Sequence, residues 1–408
     1  MLKFKLALLN VLRNGRRSVI TLLAIQFGVI SLVLMGGYFA SMFEGMRESS
    51  IRSQLGHIQI YQKGFNQFGT QEPENYLIDR EVLDKVTQTV ESLEQVELVT
   101  PRLNFTGLLS DGGKSLAVVV EGINPDKEAL LSSAVKLTKG EELFEDDTTG
   151  GLIGDGLFNS LNLNIGDNLT LMATTADGSF DARDVVATGA ISTGSRELDS
   201  RFLRIHLQNA QDLMYTEGVT RIVVLLKNTE DTDAVMTQLK TQFEQQGLDL
   251  ELRSWSDLAD YYHEVVSLFT GIFNVVQVIV LAIVLLGIVN TMVMAVMERT
   301  PEIGTIRAIG GTRTEVMTLF ITEAFILGLI GSVLGVIFAI LLAKGITMGE
   351  FMMPTPPGSS QTYPIRIFTN AELLLKNGAF GLVIAVISSI YPAVKASRML
   401  ITQALRFA

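Results

Sequence analysis

Apolar residues along this chain fall into four long blocks. Positions 18–43, 265–297 and 377–394 carry no charged residue, and 316–343 carries one, Glu323. Each block is near or beyond the roughly 18–20 residues that cross a bilayer as a helix, so the pattern predicts four membrane spans. Ahead of the first, Leu2, Leu6, Leu9 and Leu12 alternate with Lys3, Asn10, Arg13 and Arg17 at helical spacing. That predicts an amphipathic helix on the membrane surface.

Between the first two blocks the period changes. Segments 56–61, 116–120, 168–173, 184–192 and 221–226 read as strands, and 80–94, 209–215 and 232–246 as helices. Asp111-Gly112-Gly113-Lys114 and Gly166-Asp167-Asn168 mark turns. The mixture predicts two small subdomains, one inserted in the other, with the polar, acidic stretch 122–151 as a candidate junction. A helix opening near Ser254-Trp255-Ser256-Asp257 is expected to run unbroken into the second span. Spans three and four are joined by a loop stiffened by Pro354, Pro356, Pro357 and Pro364 and carrying Gly358.

The connection between spans two and three is the most specific feature. In the segment from Glu298 to Gly311, Thr300 is expected to cap a helix, Pro301 suits its first turn, and Gly310-Gly311 end it. Thr312 and Glu315 form a capping box that opens the third span. A turn of chain needs only a few polar residues. This one specifies a stiff rod of about three turns with Ile303, Ile306 and Arg307 on neighbouring faces, which predicts a docking helix for something on that side of the membrane.

Charge sets the sidedness. Lys3, Lys5, Arg13, Arg16 and Arg17 precede span one; Arg299, Arg307 and Arg313 lie between spans two and three; Lys395, Arg398 and Arg406 follow span four. The positive-inside rule puts these segments in the cytoplasm. They hold eleven basic residues against Glu298, Glu302 and Glu315, which leaves 21 of the 32 basic and 40 of the 43 acidic residues for the rest. The acidity therefore belongs mainly to the outer domain, which argues against nucleic acid or anionic headgroups as its ligand. The first apolar block is too long for a signal-peptide core and reads as an uncleaved anchor. The fold class is a membrane protein, an α-helical four-span bundle with a large extracytoplasmic α+β domain inserted between spans 1 and 2. The expected order is an amphipathic helix (1–17), span one (18–44), outer domain (45–264), span two (265–297), docking helix (298–314), span three (315–344), outer loop (345–372), span four (373–394) and cytoplasmic tail (395–408).

Catalytic chemistry finds little support. The chain has no cysteine, so thiol chemistry, iron–sulfur clusters and cysteine zinc sites are excluded. His57, His206 and His263 are isolated from one another, without the spacing of a zinc enzyme. Gly107 to Ser115 has the outline of a phosphate-binding loop, but its spacing is one residue too long and it lies between strands, so a hairpin turn is expected there. No Gly-x-Ser-x-Gly elbow occurs around Ser195 or elsewhere. Glu323 stands out, because a carboxylate inside a span costs about 2.5–3.5 kcal/mol near the bilayer centre. It lies two turns into its span, so it is either a snorkelling helix-start acid or a bundle-facing contact to the docking helix or another span. Ala324, Gly328, Gly331 and Gly335 form a stripe suited to close helix packing, against the same chain or a second copy.

Asn290-Thr291-Met292, Glu298-Arg299, Glu302-Ile303-Gly304, Arg307-Ala308-Ile309-Gly310 and Glu323-Ala324 occur in the order found in the FtsX-like permeases of the MacB/LolC type. Tyr391-Pro392-Ala393, Ala396-Ser397-Arg398 and Ala404-Leu405-Arg406 resemble that family's C-terminal signature, and Arg16-Arg17-Ser18, Thr21-Leu22-Leu23 and Gly28-Val29 its first span. Met399-Leu400-Ile401-Thr402 departs from it, since a proline commonly precedes the Ala-Leu pair there. The resemblance implies an ABC permease without catalytic residues, worked by a separate cytoplasmic ATPase dimer that carries ATP and magnesium. Glu298, Arg299, Glu302, Ile303, Arg307 and Ala308 would make that contact, with Ile303 filling a groove. Asn290, Glu323, Ala324, Gly328, Gly331 and Gly335 would pack the spans. A second permease copy or a homologous permease would complete the complex, in contact with membrane lipid. Gly56-His57-Ile58-Gln59-Ile60 looks most like the lipoprotein-releasing relatives, so the cargo is expected to be a lipoprotein or another amphipathic envelope substrate, with a periplasmic adaptor as a further possible partner. Two rivals are a signalling permease that controls an envelope hydrolase and a membrane enzyme.

Overall fold

The computed structural model describes residues 7, 9–11, 13, 15–69, 73–146, 148–352 and 364–400. Leu2, Lys3, Lys5, Leu6, Leu12, Pro354, Pro356, Pro357, Gly358, the 401–402 pair and Ala404-Leu405-Arg406 lie outside them. The chain divides into two compact units. One comprises Met1–Glu44, Glu264–Met352 and Pro364–Ala408, the other Gly45–His263 and Met353–Tyr363.

Four helices in the described residues are long and apolar enough to cross a membrane: Gly15–Leu55 including a terminal π-turn, Asp260–Glu298, Arg313–Met348 and Ala371–Ser397. They share one core, in which Ile25, Val29 and Val33 of span one meet Val284, Ile288, Met292 and Val296 of span two, Phe320 and Ala324 of span three, and Ile384 and Ala385 of span four. The span-two residues recur every fourth position, so one stripe faces the bundle while Val278, Ile283 and Leu286 face outward. The small-residue stripe of span three meets partners in its own chain. A Cβ on Gly331 would come 3.0 Å from Ile25 Cβ, one on Gly335 would come 3.0 Å from Val29 Cβ, and one on Gly328 would come 2.8 Å from Ala385. Spans one and four thus occupy the face that a second copy could have used.

The described residues of the second unit form ten strands: β1 Ile58–Gln62, β2 Val96–Ser110, β3 Ser115–Ile123, β4 Lys136–Gly140, β5 Gly150–Gly154, β6 Asn168–Thr174, β7 Phe180–Ser192, β8 Phe202–His206, β9 Arg221–Leu226 and β10 Leu250–Ser254. Strand β2 belongs to two lobes. Its first half pairs with β9, which continues through β1 to β10 in an antiparallel sheet. Helices Arg80–Glu91 and Thr232–Gln245 cover one face of that sheet through Val86, Val90, Val235, Leu239 and Phe243. Its second half pairs with both β3 and β6, and the ring β2-β3-β8-β5-β7-β6 returns to β2. Closure leaves these six strands no free edge and encloses Leu103, Phe105, Val120, Leu171, Val185 and Leu203.

One lobe is therefore inserted in the other, and the passage into it runs along β2. The stretch 122–151 gives the inserted lobe β4 and the end of β3, while its helix Pro125–Leu131 sits at the junction, with Leu131 packed against Val223 and Leu225 of the first sheet and Lys127 Nζ donating to the Val99 carbonyl at 2.9 Å. A single 15-residue strand with partners on both sides needs no polar linker to mark the change. The expected unbroken helix into span two is corrected. Ser254 and Asp257 form a capping box over the short Trp255–Leu258 turn, and Ala259, at φ −103° and ψ 51°, separates it from the helix beginning at Asp260. The Gly112 turn joins β2 to β3 as a hairpin. Asp111 Oδ1 accepts hydrogen bonds from the backbone N–H groups of Gly113 (2.8 Å) and Lys114 (2.6 Å), which satisfies the loop internally.

Candidate functional site: the connecting helix and its charged collar

The helix between spans two and three is Thr300–Ala308, with Pro301 in its first turn. It starts one residue earlier than expected. Arg299 occupies the N-cap position and supplies no side-chain cap, while the Thr300 hydroxyl donates back to the Val296 carbonyl at 3.1 Å. Thr300 thus ties the short helix to the last turn of span two, a back-bond typical of threonine. The far end follows the sequence. Gly310 adopts φ 98°, and the Gly311 N–H bonds the Ile306 carbonyl at 2.9 Å, closing the helix as a glycine C-terminus does. Thr312 Oγ1 accepts from the Glu315 N–H at 3.2 Å and Glu315 Oε2 from the Thr312 N–H at 3.0 Å, so the capping box opens span three.

A charged collar surrounds this helix. Arg299 is buried, and its guanidinium donates to Glu323 Oε1 at 2.7 Å and to Glu302 Oε2 at 3.1 Å while lying 5.3 Å over the Phe320 ring. Asn10 Nδ2 donates to the same Glu323 oxygen at 2.7 Å. Arg13 pairs with Glu302, and Arg17 with Glu298. Burial pushes the Glu302 carboxyl up, yet the hydrogen bonds from Arg299 and Arg13 hold it below its ordinary range. Glu323 is therefore not snorkelling. It faces inward and accepts two hydrogen bonds, which a buried carboxylate needs if it is to stay charged.

Burial sorts the expected contact residues into two sets. Ile303 is 4% exposed and belongs to the bundle core, and Arg299 is engaged with Glu323, so neither lies on the surface of the unit. The groove-filling role expected of Ile303 does not match this position, because the helix turns that side chain toward the core. Glu298, Glu302, Thr305, Ala308 and Ile309 are exposed, Ile309 at 81%. Arg307 is half-buried, with its Nη1 3.5 Å from the Gly311 carbonyl. Thr305 and Ile309 were not singled out by sequence reasoning, although Ile309 directly precedes the terminating glycines. Among the packing residues, Ala324, Gly328, Gly331 and Gly335 are buried and Asn290 is not. Asn290 lies off the 284-288-292-296 stripe and faces outward. The neighbouring Thr291 makes the contact instead, accepting from the Thr21 hydroxyl at 3.0 Å.

No group of three or more histidine or acidic side chains suited to a metal occurs among the described residues. His57, His206 and His263 lie in β1's approach, the end of β8 and the start of the span-two helix.

A four-helix membrane unit, an inserted two-lobed domain and a braced connecting helix define a transport-type permease. Residues 274–401 match the family described as FtsX-like permease C-terminal, and residues 18–242, more than half of the chain, match the MacB-like periplasmic core domain. The protein is an ABC transporter permease. More particularly, the chain belongs to the MacB-like family with an FtsX-like C-terminal part, and the resemblance read from its motifs holds. It is similar to the lipoprotein-releasing system transmembrane protein LolC of Neisseria meningitidis, at 24% identity over 97% of this chain and 96% of that protein. It is similar to LolE of Haemophilus influenzae, at 23% identity over 75% and 76%. A third relative, the macrolide export ATP-binding/permease protein MacB of a Shewanella species, is 22% identical over 86% of this chain and 54% of its own length.

Proposed function

We propose that this chain is the non-catalytic membrane subunit of an ATP-driven complex, in which a separate cytoplasmic ATPase dimer binds the connecting helix and moves the periplasmic domain. The carrying observation is the exposed edge formed by Glu302, Thr305, Ala308 and Ile309 on a helix braced from behind by Arg299 and Ile303. A single exposed apolar side chain is ordinary by itself; what supports the reading is that Ile309 continues an exposed edge on a helix held from behind. In this reading ATP and magnesium bind the ATPase, both termini are cytoplasmic, and the complex lies in a bacterial inner membrane. A second copy or a homologous permease meets the outward apolar face of span two together with lipid. The cargo class is a lipoprotein or another amphipathic envelope substrate, a reading supported by full-length similarity to lipoprotein-releasing proteins.

Purification of the tagged chain in mild detergent from its native host tests this. A stoichiometric cytoplasmic ATPase and co-purifying lipoprotein are expected. A stable chain that carries no ATPase and functions without ATP would sink the proposal.

A further inference from the structure

The connecting helix has nine residues, fewer than an isolated helix needs, and its N-cap residue gives it no side-chain cap. Its stiffness must come from its surroundings. Part comes from Ile303 in the bundle core. The rest comes from one continuous chain of polar contacts that begins ahead of span one: Asn10 to Glu323, Glu323 to Arg299, Arg299 to Glu302, and Glu302 back to Arg13. A second rung, Arg17 to Glu298, joins the foot of span one to the last residue of span two. The Ser18 hydroxyl donates to the Val11 carbonyl at 2.7 Å and ties the residues ahead of span one to its first turn.

Isolated surface ion pairs contribute little, about 0–1 kcal/mol each. This set differs in two ways. Its centre, Arg299 with Glu323, is buried and fully paired, and its outer members are anchored to different helices. A push on the exposed edge of the short helix would roll it about its axis unless both flanks were held. Glu323 holds one flank through Arg299, and Arg13 holds the helix through Glu302.

We propose that Asn10 and Arg13, ahead of span one, and Arg17 at its foot form a clasp on the connecting helix and the end of span two, acting as positioning residues. With the clasp shut, spans one, two and three and the short helix move as one body when the ATPase pushes. Opening it lets the short helix roll and wastes the stroke. The inference rests on the coupling function proposed above.

The absence of native cysteine makes a direct test available. R13C and E302C in one chain should be joined in native membranes by a short bis-maleimide that replaces the reach of the Arg13–Glu302 pair, and crosslinking should raise the ATPase activity of the purified complex. No crosslink, or activity that falls when the clasp is locked, overturns the proposal. Charge reversal supplies a second reading. R17E and E298R alone should each lower ATPase capture about fivefold, and the R17E/E298R pair should return it to within about twofold, since only the pair restores attraction. Unaffected single variants, or a double variant no better than either, likewise overturn it. If the unaltered chain captures no ATPase, it is the coupling function that fails, and the crosslink still reports whether Arg13 and Glu302 lie together.

Discussion

At the residue scale, the inserted domain concentrates its polar cost in one buried cluster. Glu121 accepts from Arg102 (3.0 Å), Arg204 (2.9 Å) and Arg221 (2.8 Å), and Arg102 also reaches Glu128. Three guanidiniums face two carboxylates. The surplus positive charge is directed at backbone oxygens, with Arg102 donating to the Gln54 carbonyl at 2.7 Å and Arg204 to the Ser53 carbonyl at 3.4 Å. These carbonyls end the Ile51–Leu55 π-turn, the negative pole of a helix, so the turn and the cluster stabilise each other. Burial alone would push the Glu121 carboxyl up, but the three arginines hold it down at about 2. Glu121→Gln leaves three guanidiniums facing the single carboxylate of Glu128 and should destabilise the domain by about 3–5 kcal/mol, read as a lower urea midpoint from the fluorescence of Trp255, the only tryptophan. His57 gives a pH signal of the same sign in a higher window. Its Nδ1 accepts the Leu226 N–H at 3.0 Å, so its proton sits on Nε2, 3.0 Å from the Thr229 hydroxyl. Burial lowers its pKa from 6.5 to about 4. The unfolded chain takes up that proton first, so stability should decline as pH falls from about 6.5 towards 4. The urea midpoint of His57→Asn should lose this part of the pH dependence; an unchanged pH profile would refute the assignment.

At the element scale, local chemistry was legible and long-range pairing was not. The third span's capping box, the glycine end of the connecting helix and the Asp111 turn each rest on residues within a few positions, and each forms as its sequence specifies. Strand β2 was missed because Pro101 and Arg102 interrupt any alternation, and its two halves take their burial pattern from different lobes. The β6–β7 hairpin is local, but ring closure depends on β6 pairing with β2, about 60 residues back along the chain, which no local period reports. The Gly stripe of span three was visible as close-packing chemistry, whereas its occupants, spans one and four, required the fold. Replacing Gly331 with Leu drives the side chain into Ile25 and should cost about 1–3 kcal/mol, with Ala less costly. Thermal melting in detergent should order the variants wild type, G331A, G331L, while N290A on the outward face leaves the melting point in place.

At the scale of the whole molecule, the candidate contact with an ATPase divides into a face and its support, and the division can be measured. Sequence reading grouped Glu302, Ile303, Arg307 and Ala308 because they share a motif, but a motif records both what a partner touches and what holds the touching residues still. Burial separates them. Ile303 supports the helix from the core, and Ile309 stands in solvent at 81% exposure. Truncating Ile303 to Ala should cost about 2–5 kcal/mol of folding stability, as deletion of a buried aliphatic side chain does. Ile309→Asp removes no internal packing, so the melting temperature should stay within the scatter usual for surface changes. If the exposed edge seats the ATPase, I309D should nevertheless reduce its capture at least tenfold, a loss of about 1.4 kcal/mol or more. Parallel melting and pull-down measurements on the two variants decide the matter. A chain that melts normally and still captures its ATPase with Asp at 309 would move the docking face elsewhere, and one that loses capture only through I303A would make the helix a structural strut with no partner of its own.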